Sequence, residues 1–356
     1  TRDVQYGGDA EGDVLFSIEN LLGSVFDDRL WGDNGRNKLD GGAGNDWLSG
    51  GIDGLTDTLD GGLGQDTADY RNSGEGLTIQ LDRTTTFTNQ FGVQQVYSEG
   101  FAKTAAGVTE DILRSIENVV GTDFNDTITG NEKSNVLAGG FGADTINGLG
   151  GIDTVDYSGS VASAMSSGLQ RQVYDGQNGV DVDLSRTVQR GAGAEGDRLY
   201  SIENVIGSFG HDILSGNNAA NVLEGGYGDD TIFGGGGNDK IFAGSGFDIL
   251  DGGAGDDIFV YNSSDIRFSA PVSTGHYRRG AIGYDVIENF ESGHDKIDLS
   301  ALQVYGGAFV FTDAFTGDGM QLMYNGTSLL GDIDRDCVAD FRIDVAGLQR
   351  SDVILG

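Results

Sequence analysis

Large apolar side chains recur along much of this chain at an interval that suits neither a helix nor a strand. In GGGGNDKIFAGSGFDILDGGAGDDIFVY, residues 234–261, Ile241, Leu250 and Phe259 stand nine residues apart among glycines and aspartates. A helix repeats its apolar face about every 3.6 residues and a strand every two. A period of nine therefore predicts a compound unit, a glycine loop followed by a strand so short that it buries one side chain. The pattern G-G-x-G-x-D-x-U-x, with U large and apolar, runs through three blocks, 23–69, 121–156 and 207–260, in fifteen units, one of them lengthened to GGIDGLTDTLD at 50–60. Two units make one eighteen-residue coil of a parallel roll, so loops eighteen residues apart share an edge.

A longer repeat lies over the short one. SIEN recurs at 17, 115 and 201, each time followed within three residues by the Gly-Ser or Gly-Thr that opens a block. Residues 1–22 read as the end of such a spacer unit and predict a longer parent chain. The spacers 70–120 and 157–206 contain GLTIQLD at 76–82 and GVDVDLS at 179–185, whose alternation predicts half-buried strands. Their polar stretches 83–109 and 159–177 read as surface insertions. From Tyr261 the glycine pattern stops, and strand-like segments such as GAFVFTDAF carry the remaining region, 261–356. The expected class is all-β throughout.

Composition adds a problem of charge. The 356 residues hold 62 glycines and 56 acids against 21 basic residues, for a net charge of −35. Such a balance disfavours a nucleic-acid partner and approaches that of disordered chains unless something cationic screens the acids. Cys337, the single cysteine, excludes an internal disulfide, and no apolar run reaches membrane-spanning length. The repeat supplies an answer. Glycines at positions one, two and four let the backbone turn carbonyl oxygens inward, and the aspartate at position six adds a carboxylate. An oxygen-rich, flexible loop suits Ca²⁺ better than Mg²⁺. One ion can sit between Asp230 and Asp248, another between Asp239 and Asp257. With one core residue in nine, metal-binding free energy has to appear as folding free energy, and the metal-free chain is expected to be largely unfolded.

These repeats resemble the RTX (repeats-in-toxin) family of Gram-negative secreted proteins. The last ~150 residues resemble more narrowly the C-terminal domain of serralysin-type metalloproteases, through GGAGDDIFVY at 252–261, DVIENFESGHDKIDLSAL at 285–302, DAFTGDGMQLMYN at 313–325 and ADFRIDVAGLQRSDVILG at the end. The resemblance implies β-rolls capped by an antiparallel β-sandwich. It also implies, as ion ligands, the position-six carboxylates Asp28, Asp46, Asp66, Asp126, Asp144, Asp153, Asp212, Asp230, Asp239, Asp248 and Asp257. Loop glycines would add backbone carbonyls: Gly41, Gly42 and Gly44; Gly61, Gly62 and Gly64; Gly139, Gly140 and Gly142; Gly225, Gly226 and Gly228; Gly234, Gly235 and Gly237; Gly244 and Gly246; Gly252, Gly253 and Gly255. Asn37, Asn135 and Asn221 depart from the pattern in the second unit of each block and imply weaker or empty seats. Asp57 sits in the lengthened unit, where its register is open, and Ala243 replaces a first-position glycine.

Other chemistry is weighed and set aside. His211, His276 and His294 are scattered, and H-E-x-x-H does not occur, so the protease suggested by the family name is not encoded in these residues. DIDRDCVADF at 332–341 imitates the start of an EF-hand, but Cys337 and Ile343 occupy places that need Gly and Glu, and it reads instead as a turn. Acid pairs such as Asp229 with Asp230 lie within ion loops. Tyr227, Phe233, Phe242 and Phe247 read as cover for roll edges rather than as a sugar face. The terminal SDVILG resembles the signal that type I secretion systems read.

The resulting expectation is a non-enzymatic calcium-binding module of a secreted, extracellular protein, exported by type I secretion machinery and folding outside the cell. Two other classes stay open. One is a structural or adhesive surface protein of S-layer, matrix or lectin type. The other is an accessory module of a polysaccharide-modifying enzyme, with polysaccharide or cell-surface glycan as partner. Fold alone does not choose among them.

Overall fold

The computed structural model describes residues 18–51, 54–88, 94–104, 106–107, 109–159, 179–262, 284–305, 308–333, 335 and 337–355. The start of the first SIEN, most of the insertion 159–177, and His276 lie outside the described residues. Two compact units are present, Thr1–Asp156 with Gly193–Ile202, and Tyr157–Ala192 with Glu203–Gly356. Among the described residues there is no α-helix, and no helix is long and apolar enough to cross a membrane.

In the first unit, one row of parallel strands runs through Arg29–Trp31, Trp47–Ser49, Thr67–Asp69, Asn118–Val120, Val136–Ala138 and Thr154–Asp156. Each is three residues long, because the glycine loops on either side interrupt any longer extended run. A three-residue strand points one side chain inward, and position eight supplies it in Leu48, Ala68, Leu137 and Val155, with Val119 taking the same place in the strand between blocks; all are at most 1% exposed. The opposite row begins with Asn20–Leu22, Lys38–Ala43 and Asp57–Leu63 and ends with Thr127–Thr129, Thr145–Asn147 and Arg198–Tyr200. Between its halves the spacer inserts Thr109–Arg114, parallel to Asp57–Leu63, then Gly100–Thr104, then Leu77–Gln80. Gly100–Thr104 pairs antiparallel on both sides, and Leu77–Gln80 then returns to a parallel pairing with Thr127–Thr129. The core is not broken there, since Ile79, Ala102 and Leu113 are fully buried. The SIEN segment forms a roll strand in its own right, Asn118 lying opposite Thr67.

The second unit follows the same plan. Asn204–Ile206, Val222–Glu224, Lys240–Phe242, Ile258–Val260, Lys296–Asp298 and Val353–Ile354 form one parallel row. The other row contains Asp181–Asp183, Ile213–Ser215, Thr231–Phe233, Ile249–Asp251 and Tyr284–Glu288. Phe341–Val345 extends it in parallel, and Ser328–Asp332 and Gln321–Tyr324 follow as an antiparallel meander. The cap therefore continues the sheets of the roll. Its longer strands bury several apolar residues each, with Leu322, Leu329, Phe341, Ile343 and Val345 at most 5% exposed. The EF-hand-like stretch is the hairpin between Ser328–Asp332 and Phe341–Val345: Asp332 accepts from the Arg335 and Cys337 amides, both of which take positive φ.

Candidate metal centre

Every position-six side chain stands just before a roll strand, so the parallel register stacks these side chains into columns. Their Oδ1 atoms knit consecutive coils together. The amide of Asp28 donates to Asp46 Oδ1 and that of Asp46 to Asp66 Oδ1, both at 2.8 Å. Asp126 donates to Asp144, Asp212 to Asp230, Asp230 to Asp248 and Asp239 to Asp257, again at 2.8 Å. Asp57 takes its place in the same ladder, receiving the Asn37 amide at 2.7 Å, which settles the register of the lengthened unit.

The second oxygen behaves differently. Asp46, Asp66, Asp144, Asp230, Asp239 and Asp257 are at most 1% exposed, and among the described residues their Oδ2 atoms have no hydrogen-bond partner. A buried acceptor left this way costs about 1–3 kcal/mol, and more when charged, so something has to compensate. The first-position glycine shows what surrounds it. A Cβ at Gly225 would strike both Asp230 Oδ2 and the Ala243 carbonyl of the next coil, and one at Gly234 would strike Asp239 Oδ2 and the Gly252 carbonyl. Carboxylate and carbonyl oxygens converge there with no donor between them, an arrangement that fits a hard cation. No cluster of three or more His, Cys, Asp or Glu side chains is placed to hold a metal among the described residues. An ion in these loops would accordingly rest on no more than two carboxylates, with backbone carbonyls completing its shell.

Burial raises the proton affinity of these acids. Asp230 is pushed up to about 9, chiefly by removal from water and further by the charges of Asp212, Asp248 and Asp229, against the pull of the Asp212 amide. Asp144 rises to about 8 by burial and the charge of Asp197, and Asp66 and Asp239 rise to about 6 mainly by burial. A carboxylate in this setting holds either a proton or a cation.

Loops at the start of each block are closed instead. The Thr122 and Ser208 amides donate to Oδ2 of Asp126 and Asp212, each at 2.6 Å, and Ser24 does the same to Asp28. The carboxamide oxygens of Asn37, Asn135 and Asn221 receive the amides of Asp33, Asn131 and Asn217, each at 2.8 Å.

Several acids outside the glycine pattern continue the ladder. Asp111 receives the Asp57 amide, Glu117 that of Asp66, Asp197 that of Asp144, Asp285 that of Asp248 and Asp295 that of Asp257. Sequence reasoning passed over them because no glycine loop marks them. The available signal was an acid two residues before the inward apolar residue, as in Asp111-Ile-Leu113 and Asp295-Lys-Ile297. Of the histidines, His294 bonds Asp256 and His211 receives the Asp229 amide.

A family model described as peptidase M10 serralysin C terminal matches residues 104–355, well over half of the chain. The chain belongs to this family. A second model, the RTX calcium-binding nonapeptide repeat in four copies, matches residues 22–54. The repeats of this serralysin C-terminal family member are thus of the calcium-binding kind, and several Ca²⁺ ions are their expected cofactor. Among solved structures, one subunit of the Azotobacter vinelandii mannuronan C5-epimerase is 25% identical, over 41% of this chain and 80% of its own, with a TM-score of 0.28. A second subunit of that enzyme is 23% identical over 40% of this chain and 91% of its own, at 0.26. The extracellular lipase of Serratia marcescens is 12% identical over 97% of this chain and 41% of its own, at 0.23. Scores this low place no functional weight on these neighbours. No curated protein matches the chain.

Proposed function

We propose that this chain is a non-catalytic module of an exported protein, kept unfolded inside the cell and folded outside it by calcium. The observation that carries the reading is the set of buried carboxylate oxygens lacking hydrogen-bond partners, those of Asp46, Asp66, Asp230 and Asp239 lying beside a carbonyl of a neighbouring coil. Calcium supplies divalent charge and accepts loose, oxygen-rich coordination. The protein supplies the seats: the carboxylates of Asp46, Asp66, Asp144, Asp153, Asp230, Asp239, Asp248 and Asp257, and the carbonyls of loop glycines. Sites with affinities of about 10⁻⁴–10⁻³ M, usual for extracellular modules, fill only outside the cell. The C-terminal segment suits export before folding. Val353 and Ile354 pair with Ile297 and Asp298 in the folded chain, so type I secretion machinery would find that segment unpaired only while the roll is open. Adding millimolar CaCl₂ to EDTA-treated protein should produce a large gain of β-sheet circular dichroism; an unchanged spectrum would sink the proposal.

A second reading, an adhesive or glycan-binding surface, draws on the aromatics of the second unit. Phe209 stacks on Tyr227 with ring centroids 5.1 Å apart while each stays nearly half exposed, and Phe247 lies beside Tyr284 at 6.0 Å. Binding to a glycan array in calcium would favour it over the first.

A further inference from the structure

We infer that the first two loops of each block hold no ion, that backbone and side-chain donors of the protein replace calcium there, and that the ions belong to later loops of each block, first among them those of Asp46, Asp66, Asp144, Asp230, Asp239 and Asp257. The inference rests on the calcium reading above and sharpens it.

Position two decides which kind of loop forms. In the open loops its φ is positive, as at Gly226 with 96° and Gly140 with 95°, and even at Leu149 with 75° in the loop of Asp153. In two of these loops the position-two amide is seen to bond elsewhere, Leu149 to Asn147 Oδ1 at 3.2 Å and Gly253 to Asp251 Oδ1 at 3.0 Å. The openers carry Ser24, Asp33, Thr122, Asn131, Ser208 and Asn217 at position two, none of them with positive φ. Their amides point inward and fill an acceptor that the open loops leave bare. Hydroxyls add a second donor, Ser208 Oγ to Asp212 Oδ1 at 2.7 Å and Thr122 Oγ1 to Asp126 Oδ1 at 3.1 Å. In the second units the carboxamide also donates, Asn135 Nδ2 to the Glu117 carbonyl at 2.8 Å and Asn221 Nδ2 to the Glu203 carbonyl at 2.6 Å.

A donor hydrogen and a cation both place positive charge against the same oxygens, so they exclude each other. Opening such a loop means forcing a side-chain-bearing residue to positive φ, a conformation that L residues resist. The location makes physical sense. Asp126 and Asp212 receive on Oδ1 the amides of Leu77, which opens a spacer strand, and Val180, which immediately precedes one. A spacer strand offers no glycine loop to contribute carbonyls, and a carboxylate beside it needs compensation from its own chain. Asn37, Asn135 and Asn221 are then complete closures rather than weakened seats.

The test counts calcium ions on the folded full chain by native mass spectrometry. Asp230→Asn should carry at least one ion fewer than the parent, and Asp212→Asn the same number as the parent. A gain-of-binding pair guards against variants that fail to fold. Asn221→Asp restores the family's position-six acid, yet should add no ion while Asn217 closes the loop; combined with Asn217→Gly it should add one. The inference is overturned if Asn221→Asp alone gains an ion, if the double variant gains none, if Asp212→Asn loses as many ions as Asp230→Asn, or if Asp230→Asn loses none. A parent chain that binds no calcium would instead overturn the proposed function.

Discussion

Within the second unit, the glycine repeats and the cap solve the same electrostatic problem in opposite ways. In the repeats, buried acids such as Asp230 and Asp239 meet no cationic side chain among the described residues and are raised toward protonation. In the cap, Asp352 is equally buried but is held at about 2, its desolvation outweighed by Ser292, Lys296 and the amides of Gln349 and Gly293. Asp344 is lowered by Arg342 in the same way. The cores differ in step: one inward residue per three-residue strand in the roll, several per strand in the meander. The roll thus takes its counter-charge from solution, whereas the cap carries its own, and only the roll can be switched by an ion.

Chelation should widen this contrast more than any substitution. With EDTA, backbone amides of 207–260 should lose hydrogen-exchange protection while those of 321–345 keep more of theirs. At calcium about a hundredfold above Kd each filled seat contributes about 2.7 kcal/mol, and several are lost together. Equal loss in both regions would break the comparison. Leu250→Ala comes next. Leu250 is fully buried in a strand with no second core residue, and its truncation should cost about 2–5 kcal/mol, read as a higher calcium concentration at half folding.

The repeat period, the inward residues and the position-six column were legible because glycine and aspartate at fixed spacing are rare enough to mark a register. The rest depends on partners far along the chain. Asp295 takes up the ladder 38 residues beyond Asp257, and in DVIENFESGHDKI only its place two residues before Ile297 hints at it, with no glycine loop to mark the register. The SIEN segments read as spacers, since Glu117 and Glu203 carry no glycine loop, yet Asn118–Val120 and Asn204–Ile206 are ordinary roll strands. Closure of the openers lay in plain view as Ser24, Thr122 and Ser208 where a second glycine belongs. Its consequence depends on backbone φ, which composition does not state.

Acid should move the two regions in opposite directions. In the metal-free roll the folded acids hold protons that the unfolded chain releases near 3.8, so their contribution is fully present below 3.8 and is lost as pH rises from there through the raised values of about 6 to 9 at Asp66, Asp239, Asp144 and Asp230. Asp352 in the cap works the other way: its contribution is present above 3.8 and is lost as pH falls toward 2. Chelated protein brought from pH 8 to pH 5 should therefore gain β-sheet signal with no loss of cap protection. A gain on raising the pH would reverse the argument.

The smallest effect is expected at His211, which sits in the closed loop of Asp212. Its ring is about one-third exposed and receives the Asp229 amide at the solvent edge. Asp229 is itself half exposed and keeps its own bond to the Phe247 amide. His211→Ala therefore removes one wet hydrogen bond and no core contact, a change of about 0.5 kcal/mol or less. Calcium titrations of His211→Ala and Asp239→Asn, followed by circular dichroism, set this edge against a buried seat one coil further on. The histidine variant should track the parent, while the aspartate variant should need more calcium for the same signal. Equal shifts would mean that the outer edge of the loops, and not the buried column, governs how the roll folds.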